Sequence, residues 1–288
     1  MKEFEYLKPR DLNEALFFAR EYKHRKKFLA GGTDLIVRLK DNLIREDYII
    51  DIGEIKELKG IERKNGEIYI GPTTTHSEII ESQITKKYAP LLVEAVKTIG
   101  SPQIRNRGTI GGNVCNASPA GDSIPALVVS GARFVIKSLD NERTIDIKDL
   151  FLGPGKTSIG DDEILYRIII PEWKENEIGF FNKLGQRNAM SISIASVAVK
   201  LEREEGNKFK KAFVSFGAVS PVVNRATRCE NLLTERELNS KDYIFEAASC
   251  AVNEVNPITD VRATREYRRE VSKYLLYESL LNLLGIGG

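Results

Sequence analysis

Cysteine and histidine are scarce in this sequence. Its 288 residues include only three cysteines and two histidines. The cysteines are Cys115, Cys229 and Cys250, and none of them belongs to a CxxC pair. An iron–sulfur cluster usually takes four thiolates. We therefore expect this chain to hold no metal centre of its own.

Long apolar runs are also missing. Stretches such as 192–199 are far shorter than the roughly 20 residues that a membrane helix needs. The first residues, MKEFEYLKPR, lack the apolar region of a signal peptide. We expect a soluble chain with no membrane span and take the cytoplasm as its default location.

Neither sign of charge is in excess. The 43 Lys and Arg residues nearly match the 41 Asp and Glu residues, and the net charge is +2. This balance gives no electrostatic reason to expect binding to nucleic acid or to a membrane surface. With 42% hydrophobic residues the chain can bury a core, and its length suits one large domain or two ordinary ones.

Strand and helix patterns alternate up to Pro171. Asp11 with Glu14 and Thr75 with Glu78 are typical of residues that cap and begin helices. The predicted elements are helices beginning at Asp11, Leu35, Thr75 and Pro90, and strands at 28–30, 48–51, 68–70, 132–136 and 164–170. Such alternation indicates an α/β or α+β domain.

The pattern changes beyond Pro171. Three apolar runs predict strands at 180–184, 192–201 and 209–219, and Gly206 supplies a turn between the last two. Two helices follow, one over 242–255 with Asp242 as its N-cap and one from Thr264 to about Leu284. Strands followed by helices indicate a second α+β domain, which begins at about residue 177.

Two glycine pairs, Gly31-Gly32 and Gly111-Gly112, are the first candidates for a functional site. Glycine costs roughly 0.5 to 1 kcal/mol relative to alanine inside regular structure, so each pair needs a reason. One reason is a turn with positive φ. The other is close approach of main-chain N–H groups to an anion. Small polar residues flank both pairs, so two such segments facing each other could hold a diphosphate, although spacing alone does not bring them together.

The common phosphate-binding signatures are absent. No GxGxxG follows a predicted strand, which leaves a Rossmann dinucleotide site unsupported. The stretch 153–157, GPGKT, resembles the end of a P-loop, but the required first glycine is replaced by Leu150. An ATPase is therefore disfavoured.

Several motifs together resemble one known family. They are AGGTDL at 30–35, TIGGN at 109–113, SPAGD at 118–122, DEIL at 162–165 with Ile170-Pro171, FNKLGQR at 181–187 and RATREYR at 262–268. In this order they resemble the FAD-binding medium subunit of the xanthine dehydrogenase and carbon monoxide dehydrogenase family, the molybdenum hydroxylases. The resemblance extends over essentially the whole chain.

The resemblance implies an α+β fold in two domains. Residues 1–176 would form an FAD-binding domain of the PCMH/VAO type, made of two α/β subdomains at about 1–55 and 56–176. Residues 177–288 would form a smaller C-terminal domain with a three-stranded antiparallel sheet and helices.

The resemblance also implies a set of cofactor-binding residues, with no catalytic residue and no metal ligand in this chain. Both glycine segments would wrap the FAD pyrophosphate, Asp122 would reach a ribose or ribityl hydroxyl, and Lys183 would reach FAD near its pyrimidine edge. Without the family, Asp122 would be an Asx turn and Lys183 a solvated strand residue. The full set is Leu29, Ala30, Gly31, Gly32, Thr33, Asp34, Leu35, Ile36, Ile99, Thr109, Ile110, Gly111, Gly112, Asn113, Asp122, Leu165 and Lys183.

The implied function is electron transfer within a complex. A large partner subunit would hold the molybdenum cofactor and a small one two [2Fe-2S] clusters, while this chain passes electrons through FAD to an external acceptor. The family often has a carboxylate soon after the Arg187 position, where this chain has 188–191, NAMS. The acceptor therefore stays open among NAD, quinone, ferredoxin and dioxygen.

Two other functions fit the same residues. A stand-alone FAD-dependent oxidoreductase of the same superfamily would need acid–base residues beside the flavin, and the only histidines are His24 and His76, each more typical of a structural or surface role. A non-redox anion-binding or scaffold module would bind no cofactor. The Cys115 thiol is interpreted as a small packing residue.

Overall fold

A computed structural model describes residues 2–286 of the chain. The first unit is a three-stranded parallel sheet in the order β1–β3–β2, crossed by two helices. Its elements are β1 (Glu5–Leu7), α1 (Leu12–Glu21), β2 (Lys26–Leu29), α2 (Leu35–Lys40) and β3 (Tyr48–Asp51). As predicted, Asp11 caps α1, because its carboxylate accepts from the N–H of Glu14 at 2.9 Å. The buried residues Leu12, Ala15, Leu16 and Ala19 lie at helical spacing and hold α1 to the sheet.

The second unit is a five-stranded antiparallel sheet in the order β4–β5–β10–β6–β7. Its strands are β4 (Ile61–Lys64), β5 (Glu67–Ile70), β6 (Arg133–Lys137), β7 (Glu142–Asp146) and β10 (Ile164–Pro171), and a small hairpin adds β8 (Phe151–Gly153) and β9 (Lys156–Thr157). The central strand β10 is mostly buried apolar, as expected of a strand with neighbours on both edges.

Six helices separate β5 from β6. They are α3 (His76–Glu81), α4 (Gln83–Tyr88), α5 (Pro90–Lys97), α6 (Pro102–Arg107), α7 (Ile110–Asn116) and α8 (Ser123–Ser130). Thr75 and Glu78 form the predicted capping box at α3. The glycine-rich stretch after Arg107 was not predicted to be helical, yet it contains α7 and leads into α8. Burial of Ile110 and Val114 in the main core outweighs the poor helix propensity of two glycines.

The C-terminal unit is an antiparallel sheet in the order β11–β12–β13, covered by helices. Its elements are β11 (Glu177–Gly185), β12 (Ser193–Glu205), β13 (Lys208–Gly217), α9 (Thr227–Glu235), α10 (Lys241–Ser249), α11 (Ala251–Glu254) and α12 (Arg265–Leu284). The three predicted strands are confirmed, and so is the turn at Gly206, whose φ is +52°.

The helices of this unit correct the sequence prediction in three places. Ser240, not Asp242, caps α10, because its hydroxyl accepts from the N–H of Tyr243. The helix predicted over 242–255 ends at Ser249 and is followed by the separate short α11. Helix α9 was not predicted at all. A disulfide joins α9 to the end of α10 through Cys229 and Cys250, a pairing that the sequence alone did not reveal.

The C-terminal sheet lies against α5 and α8 of the second unit. Their contact is built on small side chains, with Ala95, Ala126 and Ala198 buried alongside Leu91 and Val129. Because small residues let the backbones approach, α8 packs closely on β12 and β13, and α5 packs on β11. Within residues 2–286 no helix is both long and apolar enough to span a membrane.

Candidate functional site

A cleft of two adjoining cavities lies between the first and second units. The cavities measure about 310 and 360 Å³ and share a wall formed by Lys27, Phe28, Ala30, Gly112 and Cys115. Sites for small molecules and cofactors commonly measure roughly 300 to 1,000 Å³. The two cavities together therefore suit one elongated ligand.

The first glycine segment, residues 31–35, leads from β2 to α2 and lines the larger cavity. Gly32 has φ +76°, and Asp34 occupies the N-cap position of α2 without a side-chain capping bond. The main-chain N–H groups of residues 31–35 donate no hydrogen bond to any other part of the described chain. Successive free N–H groups at such a turn form an anion-binding concavity.

The second glycine segment, Thr109 to Asn113, uses its N–H groups internally. The N–H of Ile110 donates to Thr74 O at 3.0 Å, that of Gly111 to Pro72 O at 2.8 Å, and that of Gly112 to Thr109 Oγ1 at 3.1 Å. The expectation that main-chain N–H groups of this segment are free for an anion is therefore wrong for residues 110–112. The segment is the capped first turn of α7.

Glycine is needed at position 111 for packing. A Cβ there would lie 2.4 Å from Pro72 Cβ and 2.6 Å from Pro72 O. At position 112, in contrast, the only heavy atom within 4 Å of an added Cβ is Thr109 Oγ1, at 2.9 Å, and the residue is exposed at the cavity wall. Gly111 holds α7 to the loop after β5, and Gly112 leaves the cavity open.

The fold brings the two glycine segments together, which their spacing in sequence could not establish. A Cβ on Gly31 would lie 1.9 Å from Arg107 O, and one on Gly108 would lie 3.4 Å from Thr33 Oγ1. The free N–H groups of the first segment thus face the start of α7 across the larger cavity.

The smaller cavity has a mainly apolar wall that contains one ion pair, in which the lysine is buried and the aspartate half-buried. Phe28, Ile52 and Leu165 contribute to the wall, with Lys26 and Asp161 at its edge. Lys26 Nζ lies 3.3 Å from Asp161 Oδ1, and its side chain is 3% exposed. Burial lowers the pKa of Lys26, against the opposing pull of Asp161. Such a wall suits a planar aromatic group with polar edges.

Asp122 and Lys183 form a second ion pair, which is buried between the start of α8 and β11. Lys183 Nζ lies 2.7 Å from Asp122 Oδ2 and also donates to Thr98 O and Ser191 O, while the Ser193 hydroxyl donates to Asp122 Oδ1 at 2.6 Å. Burial raises the pKa of Asp122, and Lys183 opposes that shift. Lys183 is thus not a solvated strand residue, since its side chain is only 12% exposed.

The remaining predicted residues divide into two groups. One or both cavities are lined by Ala30, Ile99, Leu165 and the members of the two glycine segments other than Ile110. Five predicted residues are not part of either wall: Leu29, Ile36, Ile110, Asp122 and Lys183. Of these, Ile110 is fully buried in the main core.

Sequence reasoning missed several residues of the cleft, and Cys115 and His76 are two of them. Cys115 is exposed at the wall of both cavities, so its interpretation as a packing residue is wrong. His76 lines the larger cavity and is 2% exposed. Neither is marked by a motif, because α3 and α7 reach the cleft only through the tertiary fold. Within residues 2–286 no group of three or more His, Cys, Asp or Glu side chains is arranged to hold a metal ion.

An elongated cleft between two α/β units, with free N–H groups at its centre and an apolar cavity at one end, defines a class of protein that binds a nucleotide cofactor. Comparison with known families specifies the class. The model described as "FAD binding domain in molybdopterin dehydrogenase" matches residues 2–173, and "CO dehydrogenase flavoprotein C-terminal domain" matches residues 180–283. The chain therefore belongs to the family of FAD-binding medium subunits of the molybdenum hydroxylases, and the family and two-domain fold implied by the sequence motifs are confirmed.

Individual relatives resemble the chain over most of its length. The glyceraldehyde dehydrogenase medium chain of Sulfolobus acidocaldarius is 33% identical over 273 residues, which is 95% of each chain. The xanthine dehydrogenase FAD-binding subunit of Escherichia coli O157:H7 is 35% identical over 84% of this chain and 83% of the relative. Among solved structures, a carbon monoxide dehydrogenase from Hydrogenophaga pseudoflava superposes with a TM-score of 0.94 at 28% identity, covering 99% of this chain and 98% of that one.

Proposed function

We propose that this chain binds FAD in the cleft and transfers electrons as the flavoprotein subunit of a molybdenum-containing hydroxylase or dehydrogenase. The observation that carries the proposal is the run of free N–H groups over residues 31–35, which faces α7 beside an apolar cavity. A diphosphate needs such donors, and the aromatic rings of a dinucleotide need apolar walls.

The residues present fit FAD. Within the predicted segment Leu29 to Ile36, the free main-chain N–H groups of residues 31–35 would hold the diphosphate, with Thr109 to Asn113 closing the opposite side. Leu165 would place its main chain against a ring, and Ile99 would add an apolar contact. When bound, FAD supplies the redox chemistry by accepting and releasing electrons.

The buried pair of Asp122 and Lys183 is assigned to the same cofactor. Its assignment rests on the family motifs and on the burial of two charged groups between α8 and β11, since buried charged groups cluster at functional sites. A lysine cation held there would stabilise negative charge on a nearby cofactor atom. Asp122 would accept from a ribose or ribityl hydroxyl.

The proposed complex contains two further subunits. A large subunit would carry the molybdenum cofactor and a small one two [2Fe-2S] clusters, while this chain delivers electrons to NAD, a quinone, ferredoxin or dioxygen. The names of the relatives, which describe medium chains and FAD-binding subunits, support a heteromeric assembly. We propose the cytoplasm as its location and assign FAD binding to residues 1–176, with subdomains at about 1–55 and 56–176, and the C-terminal domain to 177–288.

The absorption spectrum of the purified chain tests the redox proposal. We expect flavin bands as isolated or after reconstitution with FAD. A chain that shows no flavin bands even after reconstitution would be the scaffold module instead.

Co-purification from the native source tests the subunit proposal. We expect molybdenum and iron to accompany the chain, and the recovered complex can then be assayed against the four classes of acceptor. Recovery of a flavin-loaded chain alone, free of both metals, would favour the stand-alone oxidoreductase.

A further inference from the structure

His76 is a buried side chain at the cleft to which the sequence motifs assign no function. It is the first residue of α3, fixed by the capping box of Thr75 and Glu78. Its main-chain N–H donates to Gly108 O at 3.0 Å, just before the second glycine segment. The backbone that carries the imidazole ring is therefore fixed at the wall of the larger cavity.

The two ring nitrogens have different surroundings. Nδ1 is buried and has no hydrogen-bond partner among the described residues. Nε2 also makes no hydrogen bond there, but it is not among the fully buried unpaired atoms, so it is the nitrogen that the cavity reaches.

These surroundings select one tautomer. Burial and the nearby Arg105 lower the pKa of His76 to about 4, so the ring is neutral at pH 7 and carries one proton. An orphaned buried N–H is less tolerable than an orphaned acceptor. The proton is therefore on Nε2, which makes the ring a hydrogen-bond donor into the cavity.

The cavity that receives this donor favours an anion. The free N–H groups of residues 31–35 line it, together with Lys27 and Arg38. Its one carboxylate, on Asp34, lies 3.6 Å from the Arg38 guanidinium. We propose that His76 is a cofactor-binding residue whose Nε2–H donates to a diphosphate oxygen of FAD, an inference that rests on the proposed function.

Binding measurements by isothermal titration test this contact, with FAD, ADP and adenosine as ligands. His76→Leu keeps the apolar bulk and removes the donor, and we expect it to weaken FAD and ADP binding roughly tenfold to a hundredfold. Adenosine has no phosphate, so its affinity should not change. His76→Gln offers an amide donor near the Nε2 position and should restore most of the loss. Glu81→Gln, at an exposed position of α3, is the matched control, and circular dichroism confirms that each variant is folded.

The outcomes separate the two proposals. If wild-type protein binds no FAD, the proposed function fails and this inference fails with it. If wild type and His76→Leu bind FAD and ADP equally, or if the loss extends equally to adenosine, only the His76 contact is overturned. Nitrogen-15 NMR of the ligand-free protein adds an independent check, because a proton found on Nδ1 rather than Nε2 would contradict the donor assignment.

Discussion

The two glycine pairs look alike in sequence and differ in the folded chain. Gly31-Gly32 belongs to an irregular turn whose N–H groups are free, whereas Gly111-Gly112 belongs to a capped helix whose N–H groups are paired. In both pairs the first glycine packs against protein backbone. The second glycines differ, because Gly32 has a positive φ whereas Gly112 is exposed at the cavity wall. A glycine pair in a sequence therefore indicates a close approach without saying whether the neighbour is a ligand or the chain itself.

The first glycine of each pair should tolerate no side chain. Gly31→Ala would place a Cβ 1.9 Å from Arg107 O, and Gly111→Ala would place one 2.4 Å from Pro72 Cβ. We expect each variant to lose about 3 kcal/mol of unfolding free energy, the upper end of the usual cost of overpacking, measured by denaturant titration. Gly153→Ala, where an added Cβ meets nothing within 4 Å, is the control and should stay within about 0.5 kcal/mol of wild type. Stability equal to wild type at position 31 or 111 would contradict the packing described here.

Acid should lower the unfolding free energy of the chain through the buried ring of His76. The unfolded chain protonates this histidine near its ordinary pKa of 6.5, but the folded chain does so only at about 4. Between these values the unfolded state binds more protons, so the unfolding free energy falls as the pH falls. Relative to His76→Leu, wild type should lose about 2 to 3 kcal/mol between pH 7 and pH 4. If the unfolding free energies of wild type and His76→Leu changed equally with pH, the pKa of His76 would be the same in the folded and unfolded chain.

Substitution of the second glycine in each pair should change the unfolding free energy and the FAD affinity to different extents. Gly32→Ala puts a side chain at φ +76°, which costs about 1 to 2 kcal/mol. Gly112 is the third residue of α7, where capped helices often carry glutamate, so Gly112→Ala should fold within about 1 kcal/mol of wild type. Its methyl would nevertheless enter the cavity, and we expect roughly tenfold weaker FAD binding, or about 1.4 kcal/mol. Unchanged FAD affinity in Gly112→Ala would place the diphosphate elsewhere.

Local chemistry explains why much of the fold could be predicted. Asp11, Thr75 and Thr264 cap their helices through hydrogen bonds to residues three positions later, so neighbouring sequence is enough to predict them. The antiparallel order of β11 to β13 follows from apolar runs and a turn at Gly206. Helix α7 could not be predicted in this way, because its helical form depends on burial against a core that is distant in sequence.

The candidate site could likewise be predicted from the sequence only where the signal is local. The glycine pairs are visible in the sequence because glycine is unfavourable in regular structure and needs a reason. Which pair keeps its N–H groups free depends on Pro72 and Thr74, whose carbonyls reach α7 only through the tertiary fold. His76 could not be recognised for the same reason, since nothing beside it in sequence indicates a cavity.

The cleft also bears on how the first two units hold together. Phe28 and Ile52 of the first unit face Pro72 and Leu165 of the second across open volume, where a core would ordinarily be packed. A cofactor filling that volume would add contacts between the two units that the chain does not make by itself. FAD at a hundred times its dissociation constant would raise the unfolding free energy by about 2.7 kcal/mol. The flavin would then be a structural component of the domain as well as its redox group, and the melting temperature would rise with flavin concentration.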